Sequence, residues 1–299
     1  MKIAIGGKGG VGKTTVCAVW AELFAQEGHD VLALDADPSL SLGAAFGLPA
    51  ERTPRPLIEM KDLIAERTGT GRDAVGSYFR LNPAVSDLPE EYWLRVGCAG
   101  ARGPRGGGVC PEPGPSLLAP GSSSPAVKLL VLGAVTRGGG GCACPEGAFL
   151  KALLTHTILQ RDELVLVDLA AGVEFLGRAS VQGIDAFVVV VEPGSRSIET
   201  AGKLAAMAGE LGIGCVAAVA NKIMEPAQVD AIRSGLGGIP LLGSLRYSRA
   251  VQEADLNRAP VMQAEAALVQ ELDGARHRLV ELVRRVGVVG QGRNLHGAE

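Results

Sequence analysis

Three features that would each assign a protein to a special class are missing from this sequence. The charge is nearly balanced, with 29 Lys and Arg residues against 32 Asp and Glu residues, so nothing predicts binding to DNA or to an anionic membrane. No apolar run approaches the roughly 18 residues that span a bilayer. Six cysteines are too few for a disulfide framework in 299 residues, and no signal peptide fits before the early glycines. These absences favour a cytoplasmic globular protein with reduced thiols.

Short apolar segments alternate with segments of helical periodicity along most of the chain. The apolar segments are nearly continuous in Val, Leu, Ile and Ala, which is typical of strands covered on both faces. This alternation predicts an α/β fold of three layers, a mainly parallel sheet flanked by helices, with ligands at the carboxyl ends of the strands. We predict strands at residues 3–5, 31–35, 128–132, 164–168, 186–191 and 215–220, and helices at about 13–27, 146–160, 197–211, 226–236 and 265–286.

Two segments lack this pattern. Residues from about 96 to 125 consist mostly of Gly, Pro, Ser and Ala, so we interpret them as a disordered or poorly packed surface insertion. The insertion carries Cys98 and Cys110, to which its composition assigns no role. We therefore expect a single domain over residues 1–286 that contains the insertion, followed by a loose C-terminal tail over residues 287–299.

The residues from Gly7 to Thr14 form a phosphate-binding loop. They fit the pattern G-x-x-x-x-G-K-[ST] without a mismatch, and they follow a strand and open a helix. Glycines let backbone amides turn toward phosphate oxygens, and the helix N-terminus adds partial positive charge. Lys13 should reach the β- and γ-phosphates, and the Thr14 hydroxyl should bind Mg²⁺. We expect the nucleotide to contact Gly7, Lys8, Gly9, Gly10, Val11, Gly12, Lys13, Thr14 and Thr15.

Polar residues follow or end two later strands. Asp168 ends the run that begins at Leu164, and Gly172 follows it at the spacing of a Walker B aspartate and a switch glycine. We expect Asp168 to hold Mg²⁺ through water and the Gly172 amide to sense the γ-phosphate. Asn221 comes directly after a strand, where its amide suits recognition of an adenine edge, with a simple strand-end turn as the alternative.

Lys8 distinguishes this loop from a generic phosphate loop, in which that position has no role. The run Lys8–Thr14 resembles the variant loop of the signal-recognition-particle/MinD/BioD class of NTPases. In that class the first lysine contacts the nucleotide of the other subunit, so the resemblance implies an ATP-dependent homodimer. It also implies that Asp37 orients or activates the attacking water and that Asp35 supports the Mg²⁺ shell. The residues expected to act in catalysis are Lys8, Lys13 and Asp37.

Cys142 and Cys144 form a second distinctive motif. They precede Pro145, which suits a first helical position, so both thiols lie ahead of a helix N-terminus, whose field stabilises thiolates. A tetrahedral thiolate site needs four ligands, and no nearby His or Cys in the sequence supplies the other two. Structural or incidental cysteines would fit the spacing equally well. A two-fold homodimer, however, would bring two pairs together and complete a metal site.

Further segments narrow the resemblance. They are the runs at 128–133, 138–146, 168–178 and 191–197, which follow the phosphate loop and the Asp35–Pro38 turn in order. Together they resemble the CooC-type accessory ATPases of carbon monoxide dehydrogenase over about residues 1–95 and 125–275. The resemblance implies ATP-dependent delivery of nickel to carbon monoxide dehydrogenase, or to the related acetyl-CoA synthase. It also implies Ni²⁺ or Zn²⁺ on Cys142 and Cys144, shared across the dimer.

Two other functions stay open at this point. A positioning ATPase of the MinD/ParA kind would need a basic amphipathic tail or a DNA-binding surface, and the predicted tail offers neither. An iron–sulfur electron donor would also hold a four-thiolate site between subunits. The cluster cysteines of such an electron donor lie far apart in sequence, whereas Cys142 and Cys144 are separated by a single residue.

Overall fold

A computed structural model describes residues 1–70, 79–97, 127–134, 144–160, 162–170 and 183–293, with residues 287–293 in backbone only. The strands in these residues are β1 (Lys2–Gly6), β2 (Val31–Ala36), β3 (Leu94–Val96), β4 (Val127–Val131), β5 (Leu164–Leu169), β6 (Ala186–Val191), β7 (Val216–Ile223) and β8 (Leu241–Arg246). They form one sheet in the order β3-β4-β2-β5-β1-β6-β7-β8, and β3 alone among them pairs antiparallel, against β4.

Helices cover both faces of the sheet. The helices are α1 (Lys13–Gln26), α2 (Leu42–Ala45), α3 (Lys61–Thr68), α4 (Leu88–Tyr92), α5 (Pro145–Gln160), α6 (Ser195–Glu210), α7 (Pro226–Gly235), α8 (Arg249–Leu256) and α9 (Ala266–Arg293). One face of the sheet packs against α1, α2 and α9, and the other packs against α3, α4, α5, α6 and α7. This arrangement confirms the predicted three-layer α/β fold.

The central strands are buried on both faces because their residues alternate between two apolar clusters. Ile3 and Ile5 of β1 face the cluster around α1, whereas Ala4 between them faces the cluster around α5. α1 is anchored further by Trp20, whose indole N–H donates to the Leu272 carbonyl of α9 at 2.9 Å. Strand burial of this kind explains the continuous apolar runs of the sequence.

Several boundaries differ from the predictions. Val96 belongs to β3 and is 2% exposed, so the predicted insertion begins too early, and residues 98–126 with their two cysteines lie outside the described residues. The tail predicted from residue 287 also begins too early, because α9 continues to Arg293. The short edge strands β3 and β8 were not predicted, since neither has a long apolar run.

Candidate nucleotide and metal site

Five neighbouring strands bring the candidate site residues to one edge of the sheet. β2, β5, β1, β6 and β7 are adjacent in that order and mutually parallel, so their carboxyl ends open onto the same crevice. The register pairs Asp35 of β2 with Asp168 of β5, and Asp168 in turn with Ile5 of β1. The phosphate loop leaves β1 directly beside these two carboxylates, as expected for a ligand crevice in this type of fold.

Glycine is required in the phosphate loop for two reasons. Gly7, Gly10 and Gly12 have φ values of 143°, 77° and 99°, which side-chain-bearing residues rarely adopt. A Cβ on Gly12 would also collide with the amide nitrogen of Asn221. The loop conformation that turns backbone amides toward phosphate therefore depends on glycine at these positions.

Asn221 and Lys222 hold the loop from the end of β7. Asn221 Nδ2 donates to the Val11 carbonyl at 2.8 Å, and Lys222 Nζ donates to the Gly10 carbonyl at 2.6 Å. The Asn221 side-chain oxygen accepts from the Lys222 amide at 2.8 Å. Asn221 is 7% exposed, so in this conformation its amide braces the loop. Recognition of a base by Asn221 stays a prediction.

Lys13 and Asp37 lie together at the start of α1. Lys13 Nζ is 3.4 Å from Asp37 Oδ2, and both side chains are largely buried. The other carboxylate oxygen of Asp37 accepts from the Ser39 amide at 2.9 Å and from the Ser39 hydroxyl at 2.8 Å. These bonds fix the direction of the Asp37 carboxylate, and a phosphate that drew Lys13 away would free its second oxygen.

Asp35 and Asp168 are buried carboxylates with few partners. Burial raises the pKa of Asp35 to about 6, against hydrogen bonds from the Leu42 and Asp37 amides. Burial raises the pKa of Asp168 to about 8, against a hydrogen bond from the Thr14 hydroxyl at 2.6 Å. The neighbouring carboxylate of Asp35 raises the pKa of Asp168 further. Such clustering of buried acids at one crevice is typical of a functional site.

The chemistry of this cluster fits a hard divalent cation. Asp168 Oδ1 is buried and has no hydrogen-bond partner among the described residues, an unfavourable state that a bound cation or its water would relieve. Thr14 Oγ1 lies beside the other oxygen of Asp168 and 3.2 Å from Ser41 Oγ. Hydroxyl and carboxylate oxygens are the ligands that Mg²⁺ prefers, so the residues present suit the predicted Mg²⁺.

Lys8 forms an ion pair within its own chain. Its Nζ is 3.5 Å from Glu192 Oε1, and Lys222 Nζ is 3.4 Å from Glu192 Oε2. Glu192 follows β6 directly and therefore belongs to the same crevice. Sequence reasoning assigned no role to Glu192 or Lys222, although the first lies in the run 191–197 and the second adjoins Asn221.

Cys144 immediately precedes α5, in agreement with the predicted placement. Its Sγ accepts a hydrogen bond from the Gly147 amide at 3.3 Å, so the sulfur occupies the place of a helix-capping acceptor. Cys144 also lines a cleft of about 660 Å³, together with Pro38, Leu40, Ile58 and Glu146. The cleft joins the turn after Asp37 to the beginning of α5.

The remaining predicted site residues are placed as follows. Gly9 lies at the open side of the loop, where an added Cβ would meet nothing within 4 Å, and Thr15 lies in the first turn of α1, half-buried. Gly172 and Cys142 lie outside the described residues. Within the parts of the chain that the structure describes, no helix is both long enough and apolar enough to cross a membrane.

Comparisons with known proteins agree with this geometry. A family model described as the CobQ/CobB/MinD/ParA nucleotide binding domain matches residues 2–261. The carbon monoxide dehydrogenase accessory protein CooC of Rhodospirillum rubrum is 39% identical over 257 residues, which cover 85% of this chain and 87% of that protein. An uncharacterized ATP-binding protein of Methanocaldococcus jannaschii is 32% identical over 285 residues, which cover 94% and 98% of the two chains.

Among solved structures, the MinD cell division protein of Aquifex aeolicus has a similar fold, with a TM-score of 0.60 and 18% identity. The similarity covers 94% of this chain and 97% of that one. MinD of Pyrococcus horikoshii, solved with Mg-ADP, gives a TM-score of 0.57 at 16% identity, with 92% and 93% of the chains covered. At these identities the likeness supports the fold alone. The chain belongs to the CobQ/CobB/MinD/ParA family of nucleotide-binding ATPases and, within it, to the CooC type.

Proposed function

We propose that this ATPase is a metallochaperone that dimerises with ATP and delivers nickel to an enzyme under maturation. The client would be carbon monoxide dehydrogenase, which the name of the R. rubrum relative specifies, or the related acetyl-CoA synthase. The observation that carries the proposal is the cleft that Cys144 lines together with Pro38 and Leu40. Pro38 and Leu40 belong to the turn that follows Asp37, so a change at the nucleotide would have a short route to the Cys144 thiol.

The nucleotide half of the proposal uses the residues at the carboxyl edge of the sheet. Lys13 and the loop amides would bind the β- and γ-phosphates, and Lys13 would then leave Asp37, from which it is 3.4 Å away. Asp37 would orient the attacking water and accept its proton, because the Ser39 bonds already fix its direction.

Thr14 and Asp168 would hold Mg²⁺, with Asp35 in support. When bound, the ion would neutralise charge that develops on the phosphate oxygens during hydrolysis. Asp35 also accepts from the Leu42 amide at 3.0 Å, and this bond ties the acid to the beginning of α2. The three residues therefore link the state of the phosphates to the turn that lines the cleft of Cys144.

The metal half of the proposal depends on a second copy of the chain. Cys144 sits at the start of α5 with its sulfur directed by the Gly147 amide, and Cys142 lies two residues before it. Two such pairs on a two-fold axis would supply four sulfurs, the number that a tetrahedral thiolate site requires. Nickel or zinc would be bound in the closed dimer and released as cargo when hydrolysis separates the subunits.

Metal content and mass in solution test both halves together. We expect one metal ion per dimer with a non-hydrolysable ATP analogue, and monomers with little metal in ADP. Cys144→Ser should lose the metal and keep the dimer, whereas Lys8→Ala should lose the dimer and, with it, the metal. Cys215→Ala is the matched control, because this buried thiol precedes β7 and takes no part in the proposed site.

Two results would contradict the proposal. Unchanged metal binding in the double variant Cys142→Ser/Cys144→Ser would show that the thiols are not the ligands. Broad visible absorption from an iron–sulfur cluster in anaerobically purified protein would favour an electron donor over a nickel carrier.

A further inference from the structure

A three-residue ion cluster lies beside the phosphate loop, and two of its members, Glu192 and Lys222, have no role in the proposed hydrolysis. Its centre is Glu192, whose two carboxylate oxygens each face a different lysine. Lys8 Nζ lies 3.5 Å from Oε1, and Lys222 Nζ lies 3.4 Å from Oε2. The side chain of Glu192 is 25% exposed, against 43% for Lys8 and 41% for Lys222, so the acid is the most buried member.

Glu192 is held firmly in place. It follows the buried strand β6, and its backbone amide donates to the Ser197 hydroxyl at 3.1 Å, which ties it to the first turn of α6. A partly buried carboxylate of this kind is costly to leave without a cationic partner. The backbone of Glu192 is therefore fixed beside the loop, whichever lysine its carboxylate contacts.

The two lysines differ in their freedom to leave. Lys222 also donates to the Gly10 carbonyl at 2.6 Å, and its backbone has a φ of 59°, a strained conformation that persists only where surrounding contacts enforce it. Lys8 has Glu192 as its one ion-pair partner among the described residues, and it lies on a glycine-flanked loop. Only Lys8 can swing away without disturbing the phosphate loop.

We propose that Glu192 holds Lys8 within its own subunit in the separated state, and that Lys222 remains as counter-ion to Glu192 when Lys8 moves to the partner's nucleotide. Glu192 and Lys222 are then positioning residues, which set how readily Lys8 becomes available. This inference rests on the proposed ATP-dependent dimer. It adds a specific expectation, because the acid opposes dimerisation and the second lysine favours it.

The size of the effect follows from the exposure of the pair. An exposed ion pair of this kind shifts an equilibrium about 2- to 5-fold. Each of the two subunits releases one Lys8 on dimerisation, so the factors multiply to about 4- to 25-fold in the dimer dissociation constant. Removing the acid should therefore tighten the dimer by that amount.

The test measures the dimer dissociation constant by analytical ultracentrifugation with a non-hydrolysable ATP analogue and Mg²⁺. Glu192→Gln should lower this constant about 4- to 25-fold relative to the wild type. Glu281→Gln is the matched control, because it removes a surface ion pair with Arg285. Glu281 lines a cavity with Met1, at the amino ends of the strands and away from the nucleotide. The dimer dissociation constant of Glu281→Gln should equal that of the wild type.

A second pair of variants tests the role of Lys222. Lys222→Met should weaken the dimer, because Glu192 would then keep Lys8 as its sole partner. In the Glu192→Gln background the same change should have a smaller effect. The difference between the two effects is the readout, since Lys222 also bonds the Gly10 carbonyl and a purely structural loss would be equal in both backgrounds.

The outcomes separate this inference from the function on which it rests. An unchanged or weaker dimer in Glu192→Gln overturns the inference while leaving the proposed dimer intact, and a weaker one would indicate that Glu192 receives the partner's lysine instead. Equal effects of Lys222→Met in both backgrounds overturn the role of Lys222. A wild type that stays monomeric with the analogue removes the proposed function, and the inference falls with it.

Discussion

Replacing Glu22 with Gln should change how the stability of this protein depends on pH. Glu22 lies inside α1 and is 4% exposed, and its Oε1 has no hydrogen-bond partner among the described residues. Its neighbours in the helix, such as Ala21 and Leu23, belong to the apolar core. Burial raises the pKa of Glu22 from 4.5 to about 7, because the charged form is poorly solvated there.

The sign and the size of the effect follow from this shift. The pKa of Glu22 is higher in the folded protein, so its protonated carboxyl contributes to the free energy of unfolding. This contribution is fully present below pH 4.5 and is lost as the pH rises through about 7. Integrating between these two pKa values gives a loss of about 2 to 3 kcal/mol in the free energy of unfolding between pH 5 and pH 8. Gln at this position does not titrate, so the variant should lack this pH-dependent loss of stability.

Urea unfolding of both proteins at pH 5 and pH 8 measures the effect. We expect the variant to gain about 2 to 3 kcal/mol relative to the wild type between the two conditions. Glu210→Gln, at the exposed end of α6, should show no such gain. If the difference between Glu22→Gln and the wild type were the same at both pH values, the burial argument would be refuted.

Three further predictions concern the nucleotide site. Gly12→Ala should reduce ATP affinity at least tenfold, measured by calorimetry, because its Cβ would collide with the Asn221 amide at a φ of 99°. Asn221→Ala should destabilise the protein by about 1 to 3 kcal/mol in urea, because the Val11 carbonyl loses its buried donor; an unchanged midpoint would contradict this. Asp37→Asn should lower the ATP turnover number about 10²- to 10⁴-fold while leaving analogue binding measurable, and near-normal turnover would exclude it as the group that activates water.

The parts of the fold that could be predicted are those with a strong local signal. Apart from Lys2, Asp35 and Asp168, the strands β1, β2, β5 and β6 consist of apolar residues and glycine, because central strands are covered on both faces. β8 escaped prediction because an edge strand needs little burial, and Gly243 and Ser244 interrupt its apolar run. β3 has only three residues and exists through its pairing with β4. Its position is a property of the sheet rather than of its own residues.

The residues of the candidate site likewise fall into those that local sequence could predict and those that it could not. The phosphate loop could be predicted because its glycines, Lys13 and Thr14 are close in sequence. The backbone geometry that binds phosphate is local to these residues. Cys144 was correctly placed at the start of α5, since Pro145 marks a helix beginning. Glu192 carries no local signal for a role beside the loop, and its partner Lys8 lies 184 residues away.

Residue type and short-range spacing were enough to establish a nucleotide-binding α/β protein with a cysteine motif ahead of a helix. The phosphate loop and the helix start after the cysteine motif depend on interactions within a few residues. These interactions are the same in any fold that contains the two motifs. The order of the strands decided the rest, because it brings β6 next to β1 and β7 next to β6. That order places Glu192 against Lys8 and sets the Asn221 amide on the Val11 carbonyl, 210 residues away. Contacts between such distant positions cost chain entropy that only the packed sheet can offset, so the tertiary structure was needed to find them.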